Sequence, residues 1–429
     1  MSKPVKITLI SFLVIFACMG GACSMRTTDA SVSKGADPVP AAVADREIDA
    51  ALATIKKKPD STAGYNQLAT VYINKARSTG DFGLNSKAQS AVDEALKIAP
   101  DDFTARKLQS SLHLTFHRFR DALYLGKKLQ QEFPSDAYIY GVLTDANVEL
   151  GNYAEAIVEA QKMVDLKPNT ASYARVGHLR SLHGDHPGAV EMFKTAARTA
   201  DPLDKEAQSW CLVRLGDEFW KNGNYTEAEK VYDEALQIFP GFHLAVAGKG
   251  RIRAAQNDFE GAERFLSDAQ NKVPNAETII LLGHIYKLQG LADKAGHQYE
   301  LVEAVEQKLG MKGDQKLLAL FWADQNIRLD EALSIAAAEH DARKDIYTAD
   351  VLAWCLFKKG RLPQAKAAIT EALRLKTNDA GILYHAGMIE NGLGNRTQAV
   401  ILLKKALMIN PSFDLIQAEN ARSVISILQ

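Results

Sequence analysis

Apolar and small residues return at helical intervals along most of this chain. The clearest stretch is 209–242, SWCLVRLGDEFWKNGNYTEAEKVYDEALQIFPGF. Leu212, Leu215 and Phe219, with Gly216 among them, share one face of a first helix; Ala228, Tyr232 and Ala235 share one face of a second. Gly223-Asn224 breaks the stretch between the two, and Pro240 ends it because proline has no backbone donor to continue a helix. The pattern predicts a helix–turn–helix unit. Gly216 and Ala228 would let the two axes approach to the near end of the usual range, about 8–10 Å. One such unit cannot bury its apolar face alone, so it predicts neighbours.

A period marks those neighbours. Pro100, Pro134, Pro168 and Pro202 follow at steps of 34, as do Pro240 and Pro274. The step from Pro202 to Pro240 is 38, which predicts a longer inter-repeat loop near 201–208. Ala88, Ala122 and Ala156 keep the interval of 34, as do Ala228 and Ala262, Ala365 and Ala399, Gly216 and Gly250, and Ala353 and Gly387. Ten repeats follow: 62–101, 103–135, 137–169, 170–202, 209–241, 243–275, 276–309, 313–345, 346–378 and 380–412. An insertion at 76–87 in the first is expected to lengthen a loop, and residues 203–208 form a second insertion. The eighth lacks the glycine and proline but keeps Leu320, Ala323 and Ala332. Ile48, Leu52 and Ile55 place a capping helix at 45–61, and residues 413–429 read as a closing helix.

The order of these residues resembles the tetratricopeptide-repeat (TPR) pattern, W-x2-L-G-x2-Y…A-x3-F…A…P, over residues 62–412. The resemblance implies an all-α solenoid, a right-handed superhelix of about ten repeats in which each repeat rests only on its neighbours. It further implies that the second, fifth, sixth, ninth and twelfth places of each first helix line a concave groove. Mapped onto this chain, the fifth repeat supplies Trp210, Val213, Arg214, Asp217 and Trp220. Arg251 follows in the sixth, His284 and Lys287 in the seventh, and Leu317 and Phe321 in the eighth. The ninth gives Tyr347, Asp350, Trp354 and Phe357, and the tenth Tyr384 and Met388. Aromatic residues interspersed with charge suit capture of an extended peptide or a partner helix; the alternative is that individual tryptophans pack between repeats. The basic-and-asparagine set of TPR domains that hold chaperone C-terminal carboxylates is not reproduced. Lys107 is followed by Ser111 where the first Asn would stand, and Arg214 lacks the other members.

Charge and motif content narrow the functions. With 51 basic against 52 acidic residues, the formal net charge is −1, which gives no footprint for nucleic acid. No strand signal, phosphate loop, nucleophile elbow, paired CxxC or HExxH occurs, so no enzyme activity and no cofactor are expected. His113 and His117, and the group His178, His183, Asp185 and His186, would serve an alternative role as a metal-handling or enzyme-associated subunit. Neither group offers an evident fourth ligand in a rigid setting, so no metal site is assigned. Cys211 and Cys355 fall in repeats expected not to touch and read as two packed thiols.

The first 44 residues differ from the rest. Lys3 and Lys6 precede an apolar run from Ile7 to Ala17 and then Gly20-Gly21-Ala22-Cys23, the plan of a signal peptide over 1–23. Gly-Gly-Ala-Cys also resembles a bacterial lipobox with Cys23 as the lipidated residue, although Gly20 stands where Leu is usual; Cys18 is a poorer second candidate. Residues 24–44 have the composition of a flexible tether, and Ser24 resembles the outer-membrane sorting residue of such lipoproteins. The expectation is an exported scaffold that binds protein or peptide partners through its groove as an envelope assembly or secretion accessory factor. It would touch the membrane only through an N-terminal lipid anchor on the periplasmic side of the outer membrane, the alternative being a soluble periplasmic protein.

Overall fold

A computed structural model describes residues 40–309 and 315–429 of the chain. Among the described residues every regular element is a helix, and the helices follow one another in antiparallel pairs joined by short turns. The fold is an all-α TPR solenoid. The leader, Cys23 and the tether up to residue 39 lie outside the described residues. No described helix is long and apolar enough to cross a membrane. The chain divides into two compact units, one ending at Ala146 and the other running from Asn147 to Gln429, with the division inside the helix Ala137–Glu149.

Within a repeat, close approach of the helices depends on what the first helix lacks. A Cβ on Gly216 would collide with the Tyr232 ring, and one on Gly283 with the Tyr299 ring. One on Gly250 would lie 2.6 Å from Leu266 Cγ, and one on Gly387 2.7 Å from Leu403 Cγ. The knob follows sixteen residues after the notch each time (216 to 232, 250 to 266, 283 to 299, 387 to 403). This is ridge-into-groove packing with the ridge cut away locally, and it explains the glycine period in physical terms. Polar caps join one repeat to the next. Asp102 caps the helix Phe103–Thr115 by accepting from the Ala105 amide at 2.8 Å, and it also accepts from Thr62 Oγ1 at 2.7 Å and Asn66 Nδ2 at 2.9 Å in the preceding repeat.

Four boundaries differ from the sequence reading, and in each local helix chemistry decides. The capping helix is Pro40–Lys57 rather than 45–61, because proline is preorganised for the first helical position. The insertion at 76–87 lengthens the helix Thr62–Thr79 and leaves only a short turn before Leu84–Ile98. The insertion at 203–208 likewise extends a helix, Lys205–Lys221, capped by Asp204 accepting from the Ala207 amide. The closing helix begins at Gln417 rather than 413, so residues 413–416 are loop.

The unit from Asn147 to Gln429 corrects the expectation that each repeat rests only on its neighbours. Its path returns on itself, and the turns inside repeats three to five meet the loops that follow repeats eight to ten. The Lys344 amide donates to the Glu149 carbonyl at 3.1 Å and the Ile346 amide to the Tyr153 hydroxyl at 3.1 Å. Arg343, fully buried, pairs with Glu149 at 3.2 Å and with Glu339 at 3.1 Å. One repeat further on, Asn378 Nδ2 donates to the Gly184 carbonyl at 3.1 Å. Next, Asn410 Nδ2 donates to the Trp220 carbonyl at 2.8 Å, and Asn410 Oδ1 accepts from the Tyr225 hydroxyl at 2.6 Å. The sequence separations are 194, 194 and 190 (149 to 343, 184 to 378, 220 to 410). Apolar packing seals the first of these contacts: Val148, Tyr153 and Ala156 share one buried cluster with Ile346, Ala349 and Ile369.

Candidate functional site

Because the repeats return on themselves, their inner wall bounds a cavity of about 450 Å³. Its lining comes almost wholly from first helices, namely Lys205–Lys221, His243–Ala255, Ala276–Leu288, Lys316–Gln325, Ile346–Lys358 and Ala380–Gly392, from the loop before the last of these and from the loop after the helix Arg396–Ile409. First helices face inward because each second helix, Tyr225–Ile238 for example, is used up covering the outer side of its own partner and that of the next repeat.

The structure separates the predicted groove residues into two groups. Trp220, Arg251, His284 and Phe321 border the cavity. The Arg251 guanidinium lies 5.1 Å from the Trp220 ring centroid, a cation–π arrangement on the wall. His284 is 5% exposed and Phe321 3%. Trp210, Arg214, Asp217, Trp354 and Tyr384 do not border it. Trp354 is buried, stacked on His385 at 4.2 Å and on Phe357 at 5.0 Å, with its Nε1 donating to Asp324 Oδ1 at 2.8 Å. Tyr384 is buried as well, its hydroxyl accepting from Asn420 Nδ2 at 2.7 Å. Trp210 is half-buried with Arg214 against its ring, and Arg214 reaches Asp217.

Asp217 anchors the wall behind Trp220. It accepts from the Tyr232 hydroxyl at 2.7 Å and from Arg251, while Arg214 pairs with its other oxygen. Burial alone would raise this carboxyl, but Arg214 and Arg251 outweigh burial and hold it at about 2. The same notch at Gly216 that admits Tyr232 therefore places the hydroxyl that fixes Asp217, which in turn orients Arg251.

Sequence reasoning missed the residues that come from helix ends and loops: Asp324, Thr377, Asn378, Asp379, Asn410 and the run Ser412–Asp414. Asp324 Oδ1 accepts from Trp354 Nε1 and from Gln417 Nε2, each at 2.8 Å. Burial pushes its carboxyl up to about 6; His385 opposes the rise and Asp414 adds to it. Behind it, Asp350 and His385 are paired at 2.9 Å. Burial raises Asp350, and for His385 the attraction of Asp350 outweighs burial and raises the imidazole.

The histidine groups are dispersed. His178 is buried in the helix Thr170–Leu182, and burial holds its imidazole well below the usual value. Burial takes His183 down to about 3. Asp185 caps the helix His186–Arg198 and pairs with Arg180 at 2.7 Å, and His186 meets Glu218 at 3.0 Å. Among the described residues no three His, Cys, Asp or Glu side chains are arranged to hold a metal ion. Cys211 and Cys355 are both buried and not joined in a disulfide.

Comparison with known proteins finds tetratricopeptide-repeat similarity in two segments. Residues 219–285 and 380–413 each match a family model described as tetratricopeptide repeat. The chain is 23% identical over 311 residues to the BBSome complex member BBS4 homolog of Drosophila melanogaster, covering 69% of this chain and 63% of that protein. It is 21% identical over 237 residues to a TPR repeat-containing protein of Methanocaldococcus jannaschii, covering 52% and 40%. The chain thus spans less than two thirds of either curated relative. Among solved structures it is similar to the APC/C hetero-tetramer Cut9-Hcn1, with a TM-score of 0.47, 16% identity and coverage of 90% of this chain and 66% of that one.

Proposed function

With this chain a tetratricopeptide-repeat protein, we propose that it is an interaction scaffold whose C-terminal unit holds a polypeptide partner in the cavity enclosed by repeats four to ten. The observation that carries the reading is the composition of that wall. Trp220, Phe321, Ile280, Leu317 and Leu320 supply apolar surface, while Arg251, Lys221 and several carboxylates stand among them. Aromatic and arginine anchors in a preformed pocket are what concentrates binding energy at protein interfaces. A relative whose name describes membership of a multi-protein complex is in keeping with the same role.

Leader-directed export, lipidation at Cys23, a periplasmic position at the outer membrane and an accessory role in envelope assembly or secretion belong to this proposal and are supported by the residues of 1–44. Site-specific photocrosslinking in producing cells tests the partner site. A photoreactive residue at Ile280 or Leu317 should give discrete protein adducts. One at the exposed Met408 should not, and adducts from Met408 alone would overturn the reading. Fractionation of wild type and Cys23→Ala tests the anchor: membrane-associated wild type with a released variant supports it, and identical distributions remove it.

A further inference from the structure

Six carboxylates border the cavity, Glu218, Glu277, Asp324, Asp350, Asp379 and Asp414, against two full cations, Lys221 and Arg251. Most of these charges have protein partners. Arg251 is held by Asp217, Glu218 accepts from Ser181 Oγ at 2.5 Å and meets His186, and Asp350 is paired with His385. Asp379 caps the helix Ala380–Gly392. Asp324 differs. Trp354 and Gln417 fix its Oδ1, and among the described residues none donates a hydrogen bond to its Oδ2 and no Lys, Arg or His forms an ion pair with it. A half-buried carboxylate in that state gains from a counter-charge brought into the cavity, in keeping with its raised titration.

A second observation is independent of that cluster. His284, 5% exposed and on the cavity wall, has no hydrogen-bond partner for its Nε2 among the described residues, while its Nδ1 faces Asp414 at 3.8 Å. Buried polar atoms are normally bonded, so an unbonded nitrogen on a cavity wall points to a polar group supplied from outside. Between them, Ile280, Leu317, Leu320 and Phe321 form an apolar flank.

We propose that the cavity takes a basic side chain, arginine or lysine, from an extended partner segment, its cationic head against Asp324 and its aliphatic stem along Ile280, Leu317 and Leu320. This rests on the cavity being the partner site. Long basic side chains bury their stems on apolar surface and deliver the charge at the tip, and a charge-assisted bond to a fixed carboxylate is the strong kind. Excess negative charge on the wall excludes acidic segments and draws in basic ones.

The test uses three blocked tripeptides, acetyl-Leu-Arg-Leu-amide, acetyl-Leu-Leu-Leu-amide and acetyl-Leu-Glu-Leu-amide, titrated calorimetrically into the full chain. The arginine peptide should bind at least about tenfold more tightly than either other, and Asp324→Asn should erase that preference. Since Asp324 also anchors Trp354 and Gln417, a second variant guards against misfolding. Leu320→Lys, one helical turn before Asp324, supplies a tethered cation and should abolish binding of the arginine peptide while the melting temperature holds. Equal affinities for the three peptides, a preference for the glutamate peptide, or no binding of any at millimolar concentration would each overturn the inference. Equal affinities with intact crosslinks from Ile280 remove the charge assignment and leave the partner site standing, whereas loss of those crosslinks removes both.

Discussion

At the scale of single residues, the chain shows why one residue type can be kept for two different reasons. Gly216 is needed for the space that Tyr232 fills. Gly151 and Gly184 are needed for a left-handed backbone (φ +73° and +76°) and also because loops from five repeats further on press against them. Gly360 and Gly394 have the same backbone (φ +70° and +82°) with nothing within 4 Å of where a Cβ would lie. Alanine at any of the four costs about 1–2 kcal/mol for the backbone. Only Gly151→Ala and Gly184→Ala should add a steric penalty, so their melting temperatures should fall several degrees further than those of Gly360→Ala and Gly394→Ala. Asp217 makes a second prediction at this scale. Its folded value of about 2 lies below the ordinary 3.8, so the unfolded chain binds the proton more readily, and the stabilisation is present above about pH 4 and lost as pH falls towards 2. The loss amounts to about 2 kcal/mol. In urea titrations, wild type should weaken more steeply over that interval than Asp217→Asn.

At the scale of elements, the first helices do two jobs with residues that composition does not distinguish. Trp220 and Trp354 stand at the twelfth and ninth places of their repeats, both expected on the inner wall, yet Trp220 borders the cavity and Trp354 is locked between Phe357, His385 and Asp324. The difference arises because the neighbouring first helix, Ala380–Gly392, brings His385 over the Trp354 ring. Trp354→Ala should therefore cost about 3–5 kcal/mol of stability, read as a lowered urea midpoint. Trp220→Ala should leave the midpoint nearly unchanged and reduce crosslinking from Ile280.

At the scale of the whole molecule, contacts between repeats five apart change the expected thermodynamics of the Asn147–Gln429 unit. A linear array would unfold piecemeal, repeat by repeat, from nearest-neighbour terms. Here Arg343 is shared by Glu149 and Glu339 with no exposure to water, so removing it strands two buried carboxylates. Arg343→Ala should cost about 3–5 kcal/mol. Hydrogen exchange should show the amides of Lys344 and Ile346 losing protection together with those around Gly151, because both amides donate across that contact. Protection lost only near residue 343 would mean that the two segments open independently.

The helix pairs were legible in the sequence because what specifies them is local. A glycine notch, its knob sixteen residues later, a left-handed turn and a terminating proline all act within one repeat, and the period of 34 repeats that information along the chain. Part of the inner wall followed from the same register, which is why Trp220, Arg251, His284 and Phe321 could be placed on it. The return of repeats eight to ten onto repeats three to five was not legible, because it depends on small rotations accumulated over about 190 residues and on single polar contacts with no pattern of their own. That return encloses the cavity and brings in Asp324, Asn378 and Asn410 from helix ends and loops. Local sequence thus determined the repeating unit, and only the accumulated tertiary geometry decided what the units surround.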